Sequence, residues 1–368
     1  MPIFLIFIVA FLIYVIIAVY LARGIHNHYP IRTDEPPVTI VIPARNEEDQ
    51  LAGVLDSLLA VDYPADRLQI VVVNDFSEDR TREIALGYAN RFQCRYEIHD
   101  AVDESDGKLV LKTRPLAQGI DRATGEIILM TDADCTVPRD WVRSMVAYYA
   151  DGVGMVCGMT LPHPHEHATF PLTWFETLDW LFLLGACTGM SGKGRPQALI
   201  GNNYSIRRAA YEEIGTFRGL PVADIDDIVL LKAMGRNGKW KIIFPAYKGV
   251  MVHTRPLPSL LELARQRRRW LKGLDHVGWR GRFVLGFGMA AHVTLPLWPI
   301  LLGGWSLLPF ALLVMGDGAV LASMLRHYRL GRLRWLVPLY PLFTCLYGIV
   351  LVALLLGGKK VSWKSRQF

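Results

Sequence analysis

The sequence predicts an α/β domain with a mostly parallel sheet, held between apolar helices near the two ends of the chain. Three observations predict it. Short apolar runs of strand character at 38–42, 69–73, 94–98 and 127–130 alternate with stretches of helical spacing, and such alternation implies parallel βαβ units. Residues 1–22 carry no charged side chain and are long enough to cross a bilayer once. Residues 283–325 form a 43-residue stretch with Asp317 as its one formal charge, and 335–358 is a further apolar stretch.

The bulk numbers agree. In 368 residues the hydrophobic share is 52% and the mean hydropathy +0.25, high for a water-soluble enzyme. The formal net charge of +6 gathers beside the apolar segments and not along an aromatic-laced groove. Anionic membrane surface is therefore the expected partner, and nucleic acid is not. Cys94, Cys135, Cys157, Cys187 and Cys345 make an odd count with no C-x-x-C pair, which predicts reduced structural thiols.

In chain order, 1–22 lacks a basic start and no small-residue cleavage site follows it. It reads as an anchor and not a signal peptide. Arg23, His26, His28 and Arg32 come next, and the positive-inside rule puts the following domain, 36–255, in the cytoplasm. That domain opens with strand 38–42, ended by Pro43, and a helix over 47–60 with Leu51, Val54, Leu55, Leu58 and Leu59 at helical spacing. Strand 69–73 leads through an acidic loop to a helix from about Thr81, and 115–123 is the helix before strand 127–130.

Ligands of open α/β sheets bind at the carboxyl ends of the strands. The loops there hold Arg45, Asn46 and Glu47, then Asn74, Asp75, Ser77 and Asp79, then Asp132 and Asp134. The last two stand at i, i+2 and so point to one side of an extended chain. Two hard oxygen donors suit Mg²⁺ or Mn²⁺ shared with substrate phosphates. A local alternative is that Asp134 or Thr136 caps the next helix. No G-x-G-x-x-G or G-x-x-x-x-G-K-[ST] occurs, so neither a dinucleotide fold nor a P-loop is supported.

"VIPARNEE", "VVVNDFSEDRT" and "TDADC" resemble the nucleotide-sugar half of family 2 glycosyltransferases. The resemblance implies a GT-A fold with Glu47 and Asp75 against the nucleoside, and Asp132 and Asp134 at the diphosphate and metal. "LKTRPLAQG" is similar to the family's G-K-x-x-A-L-N-x-G segment, making Lys112 a donor contact. It departs from it with Leu111 for Gly and Pro115 for Ala, and Asn74 stands where the family has Asp. "LIGNNYSIRR" resembles G-x-N-x-x-x-R-R through Gly201, Asn202, Asn203 and Arg207.

His163, His165 and His167 with Glu166 read as a polar loop, and Trp174, Phe175, Trp180 and Phe182 as core of an aromatic helix. Asp226 and Asp227 precede an apolar helical run. Acidic residues at a helix start are favoured by its dipole, and by resemblance Asp227 is the catalytic base, with Asp226 at the family's Glu position and Asp224 as the alternative register.

A basic amphipathic helix lies within 256–282. Its Gln266, Arg269 and Trp270 share one face at i, i+3 and i+4. They spell the family's Q-x-x-R-W, which implies a place at the donor diphosphate and acceptor. About three spans are expected over 283–358, with a basic tail at 359–368. The expectation is a multi-pass cell-membrane glycosyltransferase. It moves a sugar from a nucleotide diphosphate sugar, UDP-linked, to a lipid or polyprenol acceptor with inversion. A processive polysaccharide synthase, an inactive membrane scaffold and a nucleotidyltransferase are the alternatives.

Overall fold

The computed structural model describes residues 2–104, 109–163, 171–197, 200–221, 226–271, 278–357, 362–363 and 366–367. The chain folds as two compact units, one over 28–161 and 198–255, the other over 1–27, 162–197 and 256–368.

The first unit is α/β. Its strands in chain order are β1 (Val38–Ala44), β2 (Leu68–Asn74), β3 (Arg95–Asp100), β4 (Ile127–Thr131), β5 (Cys135–Thr136), β6 (Val153–Cys157), β7 (Met159–Pro162), β8 (Asn203–Arg207), β9 (Lys241–Ile243) and β10 (Met251–Thr254). Seven make one sheet in the order β3-β2-β1-β4-β8-β6-β9, and β5-β10-β7 make a second. β3, β2, β1 and β4 run parallel, while β8 is antiparallel to both neighbours. β1, β2 and β4 are buried on both faces, which is why they read as continuous apolar runs.

Register places the loops. Ala44 pairs with Asn74 and Asn74 with Asp100, while Val41 pairs with Met130, so the loops after β1, β2 and β4 open at one sheet edge. Helix Thr113–Arg122 packs close on this sheet at Gly119, where a Cβ would stand 2.5 Å from Val41 Cγ1. That spacing explains the glycine at this point of the segment.

The helix expected over 47–60 spans Leu51–Leu59. The three residues before it form a turn in which Gln50 N and Leu51 N donate to Glu47 O at 3.0 and 2.9 Å, while the N–H groups of 46–48 reach the second loop. Asn46 N donates to Ser77 Oγ at 3.1 Å, Glu47 N to Thr81 Oγ1 at 2.7 Å and Glu48 N to Asp79 Oδ2 at 3.1 Å. These bonds knit the first loop to the second.

The second unit is helical: Pro2–Ile25, Leu172–Gly192, Leu260–Leu271, Trp279–Val293, Trp298–Leu302, Leu307–His327 and Tyr340–Leu356. Among the described residues, three stretches are long and apolar enough to cross a membrane: Phe4–Ile25, Leu295–His327 and Gly331–Leu356. The stretch 283–325 is broken between 294 and 306, where short 3₁₀ turns flank Trp298–Leu302 and Gly303 takes φ +56°. Asp317 is fully buried, accepts the Tyr14 hydroxyl and lies 3.0 Å from His292 Nε2. Paired in this way, a carboxylate is tolerated among apolar helices.

Candidate active site

The site is built on the edge of the α/β unit, where β4 ends. The extended chain expected over 132–134 is not what forms. After Thr131, residues 133–134 make a tight turn, closed by Cys135 N donating to Asp132 O at 3.2 Å, before β5 begins. Ala133 and Cys135 enter the core, while Asp132, Asp134 and Thr136 are half-buried. Asp132 and Asp134 are thus the partly open side chains on either side of the buried Ala133, placed by a turn and not by strand alternation. The capping alternative is not met, because the next helix begins at Trp141 with Asp140 at its cap. Burial pushes the Cys135 thiol well above its ordinary range, and the Asp134 and Asp132 carboxylates add to this. Cys135 is thus an inert filler beneath the pair.

Lys112 reaches this edge from the start of helix Thr113–Arg122. Its Nζ stands 2.5 Å from Asp132 Oδ1 and donates to the Gly201 carbonyl at 2.9 Å. Gly201 in turn packs on Asp227, since a Cβ placed there would stand 2.9 Å from Asp227 Oδ2. One ammonium thus links the D-x-D carboxylate to the loop that lies against the acidic helix. Asp226 and Asp227 begin helix Asp226–Asn237, and Asp227 Oδ1 accepts the Ile228 N–H at 2.7 Å. Asp224, His165, Glu166 and His167 lie outside the described residues.

The donor chemistry fits a divalent ion. Among the described residues no group of three or more His, Cys, Asp or Glu side chains could hold a metal alone. Asp132 and Asp134 offer hard oxygens at a partly open edge, and Asp132 already attracts a cation, the Lys112 ammonium. Two carboxylates with the remaining positions left to phosphate and water is the usual Mg²⁺ arrangement.

Glu47 and Asp75 are nearly buried. Asp75 is held by Arg114, whose Nε and Nη2 approach Oδ1 at 2.9 and 2.6 Å, and Arg45 Nη1 donates to the Asp75 carbonyl at 3.0 Å. Arg114 also pairs with Asp103 and lies 4.6 Å from the centre of the half-exposed Phe76 ring. Sequence reasoning missed Arg114. It sits in "KTRPLAQG" with nothing to mark it as the partner of a carboxylate 39 positions earlier.

Two departures from the family pattern have structural reasons. Leu111 takes φ +52°, a conformation that glycine adopts without cost and a side chain does not. Leu111→Gly is expected to raise stability by about 0.5 kcal/mol, the relieved strain exceeding the added chain entropy. A thermal melt checks it. Asn74 Nδ2 donates to Asp100 Oδ1 at 2.8 Å. This bond, with the Arg82 guanidinium, holds the Asp100 carboxyl below its usual range, and stability from such a depressed carboxyl is lost as pH falls through it. Asn74→Asp would set two carboxylates together. It should cost about 1 kcal/mol at pH 7, modest because Asp100 is half-exposed, and the deficit should close below about pH 4 as one carboxyl takes a proton. Melts at both pH values test this.

Asn203 and Arg207 are framework. Asn203 is buried, with its amide shared among Met159 O, Val250 O and Trp141 Nε1, and Arg207 bonds Val153 O, Tyr149 O and Glu126 at the opposite sheet edge.

Gln266, Arg269 and Trp270 lie on helix Leu260–Leu271 of the helical unit, all three half-buried. The most buried arginine of the run is Arg267. It pairs with the buried Asp179, and its Cζ lies 4.0 Å from the centre of the Trp270 ring. Trp180 is buried and meets Trp270 edge to face, whereas Trp174, Phe175 and Phe182 are half-buried.

Residues 39–215 match the family model described as glycosyl transferase family 2. Over 261 residues the chain is 24% identical to a beta-monoglucosyldiacylglycerol synthase of Synechocystis sp., covering 66% of this chain and 50% of the relative. Over 113 residues it is 35% identical to a 4,4'-diaponeurosporenoate glycosyltransferase of Staphylococcus aureus, covering 30% of this chain and 28% of that one. The chain thus spans half or less of the length of these curated relatives. A solved mannosyltransferase from Pyrobaculum calidifontis, in complex with GDP-Man and Mn²⁺, superposes with a TM-score of 0.56 at 19% identity, over 95% of this chain and 98% of the other. At that identity the likeness is one of fold. This chain carries a glycosyltransferase family 2 domain, and its fold is GT-A.

Proposed function

We propose that this protein is a membrane-bound inverting glycosyltransferase that moves a sugar from a nucleotide diphosphate sugar to a lipid or polyprenol acceptor. The observation that carries the reading is the Lys112 bridge, which ties the D-x-D carboxylate Asp132 to the loop packed against Asp227. This chain of contacts supports reading donor-phosphate and proton-accepting chemistry as neighbours.

In this mechanism Asp132 and Asp134 hold Mg²⁺ or Mn²⁺, whose charge offsets that building on the departing diphosphate. Glu47 and Asp75 bind the nucleoside, and Lys112 contacts the donor. Asp227 takes the proton of the acceptor hydroxyl, the acceptor oxygen bonds to the anomeric carbon, and the bond from that carbon to the diphosphate breaks with its electron pair leaving on phosphate. Attack opposite the leaving group inverts the centre. Asp226 supports the base, and Gln266, Arg269 and Trp270 meet the diphosphate and acceptor, the guanidinium fork suiting paired oxyanions.

A lipid acceptor at an anionic, cytoplasmic membrane face draws support from charge. The helical unit holds eighteen Lys and Arg against six Asp and Glu, whereas the α/β unit holds 22 against 28. Glu176, Asp179 and Asp317 of the helical unit are buried, so its surface is more basic still. Basic surface beside apolar spans suits anionic headgroups. The relatives named for diacylglycerol and carotenoid substrates point the same way.

The test uses detergent-purified protein, Mn²⁺, a total lipid extract and a panel of nucleotide sugars, following nucleoside diphosphate release and lipid mass together. A lipid gaining one sugar mass, lost on chelating the metal, is the expected result. A product that lengthens sugar by sugar would instead mean a polysaccharide synthase, and no release with any donor would mean an inactive scaffold.

A further inference from the structure

The motif Q-x-x-R-W names three side chains on helix Leu260–Leu271, yet the one most tightly held there is a fourth, Arg267. Its side chain is 5% exposed, and its partner Asp179 is fully buried. Arg267 Nε and Nη2 approach Asp179 Oδ2 at 2.8 and 2.5 Å. The other carboxylate oxygen accepts the Tyr347 hydroxyl at 2.8 Å and the Tyr340 hydroxyl at 3.2 Å. Both carboxylate oxygens of the pair are thus engaged.

Arg267 also touches two of the three motif residues. Its Nη1 donates to Gln266 Oε1, and its Cζ lies 4.0 Å from the centre of the Trp270 ring. Holding Oε1 fixes which way the Gln266 amide turns its NH₂, a donor suited to phosphate oxygens. Trp270 is held on a second side by Trp180, ring centres 5.1 Å apart at 83°. Trp180 is fixed in turn by Glu176, which accepts its Nε1–H at 3.4 Å and the Leu257 N–H at 3.0 Å.

We infer that Arg267 and Asp179 are a positioning pair that sets the orientation of Gln266 and Trp270 and so presents them to substrate. The inference rests on the glycosyltransferase reading above. A need for stability is a poor reason for such a pair, because apolar residues of similar volume commonly replace a buried ion pair without loss. Geometry is a better one. Arg267 meets both Gln266 and Trp270, and its partner Asp179 is itself fixed by two tyrosines of the helix Tyr340–Leu356. Displacing reacting or binding groups by about 1 Å is enough to cost a large rate factor.

The test compares Arg267→Lys, Asp179→Asn and the double variant Arg267→Met/Asp179→Leu, with Trp270→Phe as reference. Near-ultraviolet circular dichroism reads the Trp180–Trp270 pair, and kcat and KM for the donor are measured beside it. The double variant is expected to fold and to lose the dichroic signature that Trp270→Phe loses, with kcat falling about 10- to 100-fold. Arg267→Lys, which keeps the charge facing Asp179 but not the planar fork that meets Gln266 and Trp270 as well, should fold and lose part of the signature and of kcat, less than the double variant does. If the double variant does not fold, Asp179→Asn, which keeps shape and removes charge, is read in its place, with the same losses expected. A folded variant with an unchanged signature and unchanged kcat would reduce the pair to framework and overturn the inference. Wild-type protein that turns over no donor would sink the glycosyltransferase reading instead, while the dichroism still decides whether the pair orients Trp270.

Discussion

Asp227→Asn should lower kcat by about 10²- to 10⁴-fold, the contribution of a general base, while leaving donor KM and the fold nearly unchanged. The substitution is close to isosteric, so the contact with Gly201 and the bond from Ile228 N–H to Oδ1 can both persist. What is lost is the ability to take a proton. Asp227 also begins a helix, and removing a charge there costs about 0.3–1 kcal/mol through the dipole. The two roles therefore separate by size. A dipole partner alone would give a small drop in melting temperature and a normal rate, whereas a base gives the reverse. The same change at Asp226 ranks the two acids, and Gly201→Ala offers an independent check, since its methyl would press on Oδ2 without altering any charge. An Asp227→Asn enzyme with wild-type turnover would move the base elsewhere.

Much of this arrangement was legible in the sequence because it is local. Strands β1, β2 and β4 are short apolar runs buried on both faces, and Asp132 and Asp134 follow β4 directly, so the sheet edge they stand on could be read although the turn between them could not. Features that depend on distant partners were not legible. Arg114 is an unremarkable cation until β2 and the helix after residue 112 bring it to Asp75. Arg267 is one of four arginines in five positions, and only the turn of its helix buries it against Asp179, 88 residues away. The bonds from the N–H groups of 46–48 to Ser77, Thr81 and Asp79 are of the same kind, joining loops more than thirty positions apart in the chain. Leu111 and Asn74 stood out in the sequence as departures. Their reasons, a positive φ and a carboxylate on the neighbouring strand, belong to the fold.

Gly189→Ala and Gly286→Ala should shift stability in opposite directions, although each adds one methyl to a helix. Helices Pro2–Ile25 and Leu172–Gly192 cross in backbone contact. A Cβ on Gly189 would stand 2.4 Å from Leu21 O, one on Gly24 2.1 Å from Gly189 O, and one on Gly192 2.0 Å from Gly24 O. Small residues at such a crossing let apolar helices approach where no hydrophobic force drives them together. Restoring an ordinary contact distance at Gly189 needs a separation of about 1 Å, and the obstacle is backbone, which cannot turn aside as a side chain can. Overpacking of this kind costs about 1–3 kcal/mol. Gly286, in helix Trp279–Val293, has nothing within 4 Å of its Cβ position, so alanine there gains helix propensity of up to about 1 kcal/mol. Thermal unfolding in detergent should therefore fall for Gly189→Ala and rise slightly for Gly286→Ala. Equal shifts would mean that the two helices do not meet at these glycines, and the packing of the helical unit would have to be redrawn from its first element.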